Sequence, residues 1–165
     1  MFNVGEKVVY GLGGVMEIVD VREIVFGDNP RTYYVLREMG SSSTSETLIP
    51  VDNADLVAQM RPLLTREEMI CAIRAARVAP DAEWIDDNRK RADHFKAVIL
   101  SGDRVALMLM IRSIIEAGKR RAEEGKKNFL SDENAMKKAE KLLYSEISVV
   151  FDISLEDVPS FIESV

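Results

Sequence analysis

The sequence predicts an α+β protein in which a small SH3-like or Tudor-like β-barrel precedes an all-α helical domain. The first 62 residues contain short β-branched runs separated by turn signals, a pattern typical of small barrels. The rest of the chain contains a capping motif and apolar residues at helical spacing. These observations predict a barrel domain over residues 1–62, a connecting helix and linker over 63–80, and a helical bundle over 81–165.

Four or five short strands are predicted in the barrel domain. Gly-Asp-Asn-Pro at residues 27–30 is a strong turn signal between the second and third strands. Residues 40–45, rich in Gly, Ser and Thr, predict a flexible hairpin loop before the fourth. The strands that can be placed are residues 8–10, 15–25, 32–36 and 47–49.

The first two helices are predicted to lie on either side of Pro80. Thr65 and Glu68 have the Thr-x-x-Glu spacing of a capping box, which predicts a helix start. Pro80 ends this helix because proline has no backbone N–H to donate. A second helix is predicted from about Asp81 to Leu100, where Ser-Gly-Asp interrupts the pattern.

Residues 105–111 are apolar on every helical face, which predicts a buried central helix. The basic residues 119–121 suit its C-terminal end, and Gly125 is a plausible C-cap. Ser131 is predicted to cap a fourth helix, and Pro159 to open a short last one.

Composition restricts the class of protein. The single cysteine, Cys71, excludes a disulfide framework and suits a reducing compartment. No apolar run approaches the roughly 18 residues of a membrane span. The N-terminus leads directly into a strand pattern, so we expect no signal peptide and a cytoplasmic protein.

The net charge of -6 argues against binding nucleic acid over the whole surface. The charge is unevenly distributed, because residues 84–141 hold 14 Lys/Arg and 10 Asp/Glu, a net +4. Residues 1–62 hold 5 Lys/Arg and 9 Asp/Glu, a net -4. The basic segment could make a few phosphate contacts, or it could be solvated helix surface of mixed charge.

No motif in the chain predicts catalysis, a metal site or a cofactor. The glycines of residues 11–14 lack the Lys-Ser/Thr of a phosphate loop, and a strand follows them where that loop requires a helix. A small hydrolase using Cys71 and the only histidine, His94, is a minor alternative, because their separation in space is not visible in the sequence. We therefore expect a protein that acts by binding.

Trp84, the only tryptophan, supports two interpretations. Trp84 and Phe95 are eleven residues apart, which on one helix would place them on the same face, as core residues. Alternatively, Trp84 beside the basic residues 89–91 could be an apolar wedge that inserts at a DNA minor groove.

Two N-terminal motifs resemble the CarD/CdnL family of bacterial transcription regulators. They are Val-Gly-Glu-Lys-Val-Val-Tyr at residues 4–10 and Leu-Ile-Pro-Val-Asp-Asn-Ala-Asp at residues 48–55. The family's N-terminal module also occurs in transcription-repair coupling factors. Further similarity continues in the same order along the chain, at residues 88–91, 101–103, 130–133 and 139–146.

This resemblance implies that the barrel domain binds the RNA polymerase β subunit. It also implies that the helical domain touches promoter DNA at the upstream edge of the transcription bubble and supports the open complex. The implied polymerase-binding residues are Arg22 and the edge of the fourth strand, Thr47, Leu48, Ile49 and Pro50.

The DNA-binding residues expected from the resemblance and the basic stretches are Trp84, Arg89, Lys90, Arg91, Lys126 and Lys127. Counted back from the Ser-Gly-Asp break, the wedge tryptophan of the family falls at Asn88, one helical turn after Trp84. The alternative is a protein-interaction module whose helical domain binds another protein or itself. No cofactor and no membrane association are expected, and the oligomeric state is left open.

Overall fold

The structure, a computed structural model, describes residues 1–40 and 42–165. It contains two compact units, Met1–Leu63 and Leu64–Val165. The first unit is mainly an antiparallel sheet and the second is helical, so the predicted α+β class is confirmed. The predicted loop over residues 40–45 includes Ser41, which lies outside the described residues.

The first unit is a five-stranded antiparallel sheet with the strand order β4-β3-β2-β1-β5. Its elements are β1 Lys7–Tyr10, β2 Gly14–Phe26, β3 Asn29–Glu38, β4 Glu46–Pro50, α1 Ala54–Ala58 and β5 Met60–Pro62. A closed barrel requires the two edge strands to pair. Among the described residues β4 and β5 do not pair, so the sheet is open and the predicted closure is not observed.

Alternation along the strands builds the core of this unit, because successive side chains point to opposite faces. One face carries a cluster of buried side chains from all five strands: Val8, Met16, Ile18, Tyr34, Leu36, Ile49 and Met60. Leu56 and Val57 of α1 pack against the cluster, and the Asn53 side chain caps that helix. The sequence pattern did not predict α1 or β5, because both are short and follow a turn.

The hairpin of β2 and β3 positions Arg22. Phe26 pairs with Asn29, and Gly27 in the two-residue turn has a positive φ of 68°, which glycine adopts without strain. The pairing register shifts between Ile18 and Asp20, so β2 contains an irregularity there. Beyond this shift, Arg22 lies opposite Tyr33.

The second unit is a helical bundle around α4, which contacts α2, α3 and α5. Its elements are α2 Arg66–Val78, α3 Asn88–Ser101, α4 Arg104–Glu123, α5 Leu130–Phe151, a 3₁₀ turn Leu155–Asp157 and α6 Val158–Ser164. The buried residues of α4 are Leu107, Met110, Ile111, Ile114 and Ala117. The predicted central helix is therefore confirmed.

Helix α2 belongs to the helical unit, whereas the sequence pattern assigned residues 63–80 to a connector. The helix buries Met69, Ile73 and Ala76, which no simple linker would do. The predicted capping box is present, since Thr65 N–H donates to the Glu68 carboxylate at 2.8 Å and Glu68 N–H to the Thr65 hydroxyl at 3.2 Å. These bonds to Thr65 lower the pKa of Glu68.

Helix α3 begins at Asn88 instead of near Asp81 as predicted, because Asp87 is its N-cap and accepts the Lys90 N–H at 2.8 Å. Residues 80–87 precede the cap as an irregular segment, which we call the Trp84 segment. A similar shift occurs at α5, where Phe129 occupies the cap position predicted for Ser131. Gly102, with a φ of 63°, ends α3 as the predicted Ser-Gly-Asp break requires.

Candidate functional site

Arg91 is a buried structural residue, which corrects its predicted role as a DNA contact. Its side chain is 1% exposed, and its Nη2 pairs with the Asp132 carboxylate at 2.9 Å. Nε donates to both Asp132 oxygens at 3.1 Å, and Nη2 also donates to the Asn88 side chain. Because every guanidinium nitrogen is used inside the protein, Arg91 has no donor to offer a phosphate.

Two arginines hold the Trp84 segment in place. Arg91 Nη1 donates to the Ile85 carbonyl at 2.8 Å, near the end of the segment. At its start, Arg112 Nη2 donates to the Ala79 carbonyl at 2.9 Å and Arg112 Nε pairs with Asp81 at 3.0 Å. Carbonyls of an irregular chain segment need such donors when water cannot reach them.

Trp84 is half-buried, so it is neither a fully buried core residue nor a fully exposed wedge. The Arg91 guanidinium lies 4.6 Å from the Trp84 ring centroid, and the Phe95 ring centroid is 6.3 Å away. The expected contact with Phe95 is present, but the two residues do not share a helix because Trp84 precedes α3. Trp84 lines two pockets, of about 230 and 450 Å³, so its ring is packed without being enclosed.

The remaining predicted DNA contacts are exposed and belong to one end of the helical unit. Arg89 and Lys90 lie in the first turn of α3, and Lys126 and Lys127 lie in the loop between α4 and α5. Arg91 connects these elements, since its guanidinium is 5.1 Å from the Phe129 ring at the start of α5. Lys126 pairs with Glu124 at 2.7 Å, so part of its charge is already balanced.

Two further arginines belong to this end, although the sequence reasoning placed neither in the site. Arg120 and Arg121 close α4 and line the same 450 Å³ pocket as Trp84. Arg121 lies 4.0 Å above the Phe129 ring and donates its Nε to the Lys127 carbonyl at 2.8 Å. The Lys-Arg-Arg run was the available signal, but it also suits an ordinary helix end.

The loop between α4 and α5 packs closely on α4 at Gly118. A methyl group added to Gly118 would meet the Asn128 side-chain oxygen at 2.9 Å, closer than carbon atoms tolerate. Glycine in a helix interior is unfavourable without a reason. The reason here is the close approach of Asn128, which positions the loop that carries Lys126 and Lys127.

The described residues contain no group of three or more His, Cys, Asp or Glu side chains that could hold a metal ion. Cys71 on α2 and His94 on α3 are both exposed, and in the part of the chain that the structure covers no hydrogen bond joins them. No described helix is long and apolar enough to cross a membrane.

The second candidate surface is the free edge of β4, at the side of the sheet predicted from the sequence. Val51 N–H donates to the Thr32 carbonyl at 3.0 Å, next to the ladder between β3 and β4. The direction of the main-chain N–H and carbonyl groups alternates along a strand. The main-chain groups of Thr47 and Ile49 therefore also point toward β3, whereas those of Leu48 point away from it. Pro50 is the next outward residue, and it has no N–H.

The predicted polymerase-binding residues are divided between the two sheet faces. Directly paired residues share a face, so Arg22 and Pro50 lie with Tyr33, and Leu48 lies with Val35. The side chains of Thr47 and Ile49 alternate with these and lie on the opposite face, which carries the core cluster. Ile49 was predicted as part of the polymerase-binding edge, but it is 1% exposed and its main-chain groups face β3, so it is corrected to a core residue.

Arg22 is held beside β4 by carboxylates. Its Nη2 pairs with Glu46 at 2.6 Å and its Nη1 with Asp20 at 3.5 Å. Arg37 pairs with the other Glu46 oxygen at 3.0 Å. Partial desolvation raises the pKa of Glu46, but the hydrogen bonds from Arg37 and Arg22 outweigh it and the pKa falls. Glu46 and Arg37 were not predicted, because Glu46 pairs with residues 24 and 9 positions away that only the strand pairing brings together.

Comparison with known protein families decides what the sheet unit is. Residues 2–64 match the family described as the CarD-like/TRCF RID domain. The first unit is a CarD-like/TRCF RID domain. This domain interacts with RNA polymerase, so the chain carries a transcription-related module. A search of curated proteins gave no match.

The RID match covers the sheet unit apart from Met1 and ends at the first residue of the helical unit. Both N-terminal motifs that suggested the resemblance lie inside the match. The free edge of β4, with Leu48 and Arg22 beside it, therefore belongs to an RNA polymerase-interacting domain. The helical unit lies beyond the match, apart from Leu64, so its role has to be inferred from its own surface.

Proposed function

We propose that this protein is a CarD-like transcription regulator whose RID domain docks on the β subunit of RNA polymerase. The observation that carries the proposal is the match of residues 2–64, together with the free β4 edge in the matched region. An exposed edge can accept an extended strand from a partner, which then adds to the sheet through main-chain hydrogen bonds. Leu48 supplies the outward N–H and carbonyl, and Arg22 supplies charge nearby.

In this proposal the helical unit contacts promoter DNA and supports the open complex. Its contacts are the exposed cations Arg89, Lys90, Lys126 and Lys127, with Trp84 between the elements that carry them. The nearby carboxylates of Asp86 and Asp87 weaken this surface, so the contact is useful only when the RID domain holds the protein at the promoter. Tethering raises the effective concentration of a weak contact. The protein acts by binding, without a catalytic group or cofactor.

A second candidate is that the helical unit binds another protein or itself. The observation that favours it is an apolar pocket of about 420 Å³ between α2, α4, α5 and α6. Ile73, Met108, Ile111 and Leu143 are among the residues that line it. Under this candidate, charge changes at the DNA-facing end leave open-complex lifetime unchanged.

The polymerase contact is tested by binding of the full chain to purified polymerase β subunit. We expect Arg22→Glu to weaken binding by roughly 1–3 kcal/mol if Arg22 meets a carboxylate at the interface. Arg37→Ala is the matched control, since it removes the other partner of Glu46 and leaves Arg22 in place. Unchanged affinity in a folded Arg22→Glu variant would remove Arg22 from the site, and no binding by the wild-type chain would refute the docking itself.

A further inference from the structure

The pocket beside Trp84 has the volume of a small-molecule site and a largely charged lining. Its volume is about 450 Å³, and Trp84, Phe129, Arg120 and Arg121 are among the residues that line it. Small-molecule sites are concave, typically about 300–1,000 Å³, and mostly apolar. Here five of the eight lining residues are charged, so the pocket suits an ionic ligand with an aromatic part. All of these residues belong to the helical unit.

The arginines of this pocket differ in the donors that they leave available. Arg91 lines the pocket but is fully used by Asp132 and its other partners. Arg120 is exposed, and within the described residues neither a hydrogen bond nor an ion pair occupies its guanidinium. Arg121 uses Nε for the Lys127 carbonyl, and across the described ranges no hydrogen bond takes up its two terminal nitrogens.

The carboxylates near the pocket leave it with an excess of positive charge. Asp132 is neutralised by Arg91 at 2.9 Å. Glu124 lines the pocket but pairs with Lys126 at 2.7 Å. Asp86 also lines the pocket with Arg120 and Arg121. Among the described lining residues it is the one carboxylate without an ion pair. Glu116 interacts with Arg120 as well as with Lys119, and Glu124 interacts with Arg121 as well as with Lys126, so these carboxylates are shared between two cations each. An anionic group therefore meets two guanidinium groups and one carboxylate, Asp86, that has no paired cation among the described residues.

The aromatic walls add a second recognition element. Phe129 has guanidinium groups near its ring from both Arg91, at 5.1 Å, and Arg121, at 4.0 Å. Trp84 has one such neighbour, Arg91, and is half-buried at the pocket. The Phe95 ring, 6.3 Å away, is the other aromatic neighbour of Trp84. We assign the stacking surface to Trp84 because Arg121 already lies 4.0 Å above the Phe129 ring. Nucleobases stack on aromatic side chains whatever the base, because every base has a π-face.

We propose that this pocket binds a nucleoside phosphate, with the phosphate on Arg120 and Arg121 and the base against Trp84. A guanidinium fork matches the oxygens of a phosphate in paired hydrogen bonds. The site shares Trp84 with the promoter contact proposed above and goes beyond it, because its phosphate contacts, Arg120 and Arg121, are not among the residues proposed for promoter DNA. A free nucleotide and an unpaired nucleotide of a single strand share this chemistry, so the test separates the two sources.

The test is a titration of the ¹⁵N-labelled full chain, followed by the indole N–H resonance of Trp84. This resonance is unique because the chain has one tryptophan. The probes are adenosine monophosphate, adenosine, inorganic phosphate and a short single-stranded oligoadenylate. We expect adenosine monophosphate to shift the resonance with a lower Kd than adenosine or phosphate. Arg120→Ala should weaken its binding about tenfold, the effect of one lost charge-assisted hydrogen bond.

Lys119→Ala is the matched control. It removes the same charge one position earlier, from a residue that pairs with Glu116 and does not line the pocket. The affinity of the Lys119→Ala variant for adenosine monophosphate should equal that of the wild type. If oligoadenylate binds the Trp84 pocket at a lower concentration than adenosine monophosphate, the ligand is a nucleotide of a single strand. If oligoadenylate does not displace adenosine monophosphate, the ligand is a free nucleotide.

Three outcomes would overturn the proposal. They are no shift of the Trp84 resonance with either phosphate-bearing nucleotide probe, equal binding of adenosine and its monophosphate, and equal loss of affinity in Arg120→Ala and Lys119→Ala. Binding of Arg120→Ala to polymerase β at the wild-type affinity shows that the RID contact is intact. A failure of the nucleotide site then leaves the proposed docking on polymerase untouched.

Discussion

The side chain of Arg91 combines an ion pair, main-chain hydrogen bonds and two aromatic contacts at one end of the helical unit. It joins α3 to Asp132 of α5 and holds the Ile85 carbonyl next to Trp84. A buried ion pair adds little stability compared with a well-packed apolar pair. Removing one partner, however, leaves the other charge buried without a partner or water. Arg91 is therefore required for structure even though it makes no surface contact.

We predict that Arg91→Ala destabilises the helical unit by about 3–5 kcal/mol, because Asp132 is left buried and unpaired. Arg89→Ala, two residues earlier and exposed, should change stability by less than about 0.5 kcal/mol. Urea unfolding followed by Trp84 fluorescence measures both, since the single tryptophan reports on this unit. Equal midpoints for the two variants would contradict the structural role of Arg91.

The half-buried position of Trp84 leads to a second prediction. Acrylamide should quench its fluorescence to a degree between those of free and fully buried tryptophan. Trp84→Ala should cost about 1–3 kcal/mol, less than the 3–5 kcal/mol of a fully buried tryptophan. If Trp84 also acts at promoter DNA, open-complex lifetime falls in this variant while polymerase β binding is unchanged. Complete protection from acrylamide would assign Trp84 to the core alone.

Strand β4 is an edge strand whose main-chain groups point in two directions with different roles. Thr47 and Ile49 turn their main-chain groups toward β3, and Ile49 fills the core cluster. Leu48 turns its main-chain groups outward, and Pro50 ends the edge because it lacks an N–H. Long exposed edges invite unwanted pairing. A short edge that ends in proline limits pairing to a partner strand that fits.

We predict that Leu48→Pro weakens binding to polymerase β by roughly three- to tenfold, because it removes one outward hydrogen-bond donor. The ladder to β3 should be unaffected, since the Leu48 N–H does not take part in it. Leu48→Ala is the control that shortens the side chain and keeps the N–H. Circular dichroism checks that both variants are folded. Identical affinity of the two variants would exclude strand addition at this edge.

The whole molecule combines an RNA polymerase-interacting domain with a helical unit of mixed charge. The net charge of -6 repels the phosphate backbone, and only a few exposed cations near residues 89–90 and 119–127 oppose it. Part of that charge is already paired, as in Lys119 with Glu116 and Lys126 with Glu124. The molecule therefore suits a DNA contact that depends on tethering.

We predict that the full protein binds free duplex DNA weakly and without sequence preference, with a Kd of roughly 10⁻⁴ M or weaker at physiological salt. Fluorescence anisotropy with promoter and scrambled duplexes measures this, and lower salt should tighten binding to both equally. A nanomolar, sequence-specific complex with DNA alone would show that tethering is not needed.

The sequence by itself determined the fold class, most strands and helices, and the RID family, because these depend on local patterns. Short β-branched runs between turn signals placed β1 to β4, the capping box marked α2, and an all-apolar run marked the central helix α4. Two motifs within residues 2–64 were sufficient to suggest the family that the comparison confirms. Each of these signals spans a few neighbouring residues and needs no knowledge of distant partners.

Only the tertiary structure decided which of the candidate residues are free to bind. Arg89, Lys90 and Arg91 are equivalent in the sequence, but Asp132, 41 residues away from Arg91, buries one of them. Leu48 and Ile49 are likewise adjacent and apolar, and the register with β3 turns the main-chain groups of Leu48 to the free edge but those of Ile49 toward β3. Long-range pairing fixes the exposure of a side chain, and exposure determines whether that side chain can reach a partner.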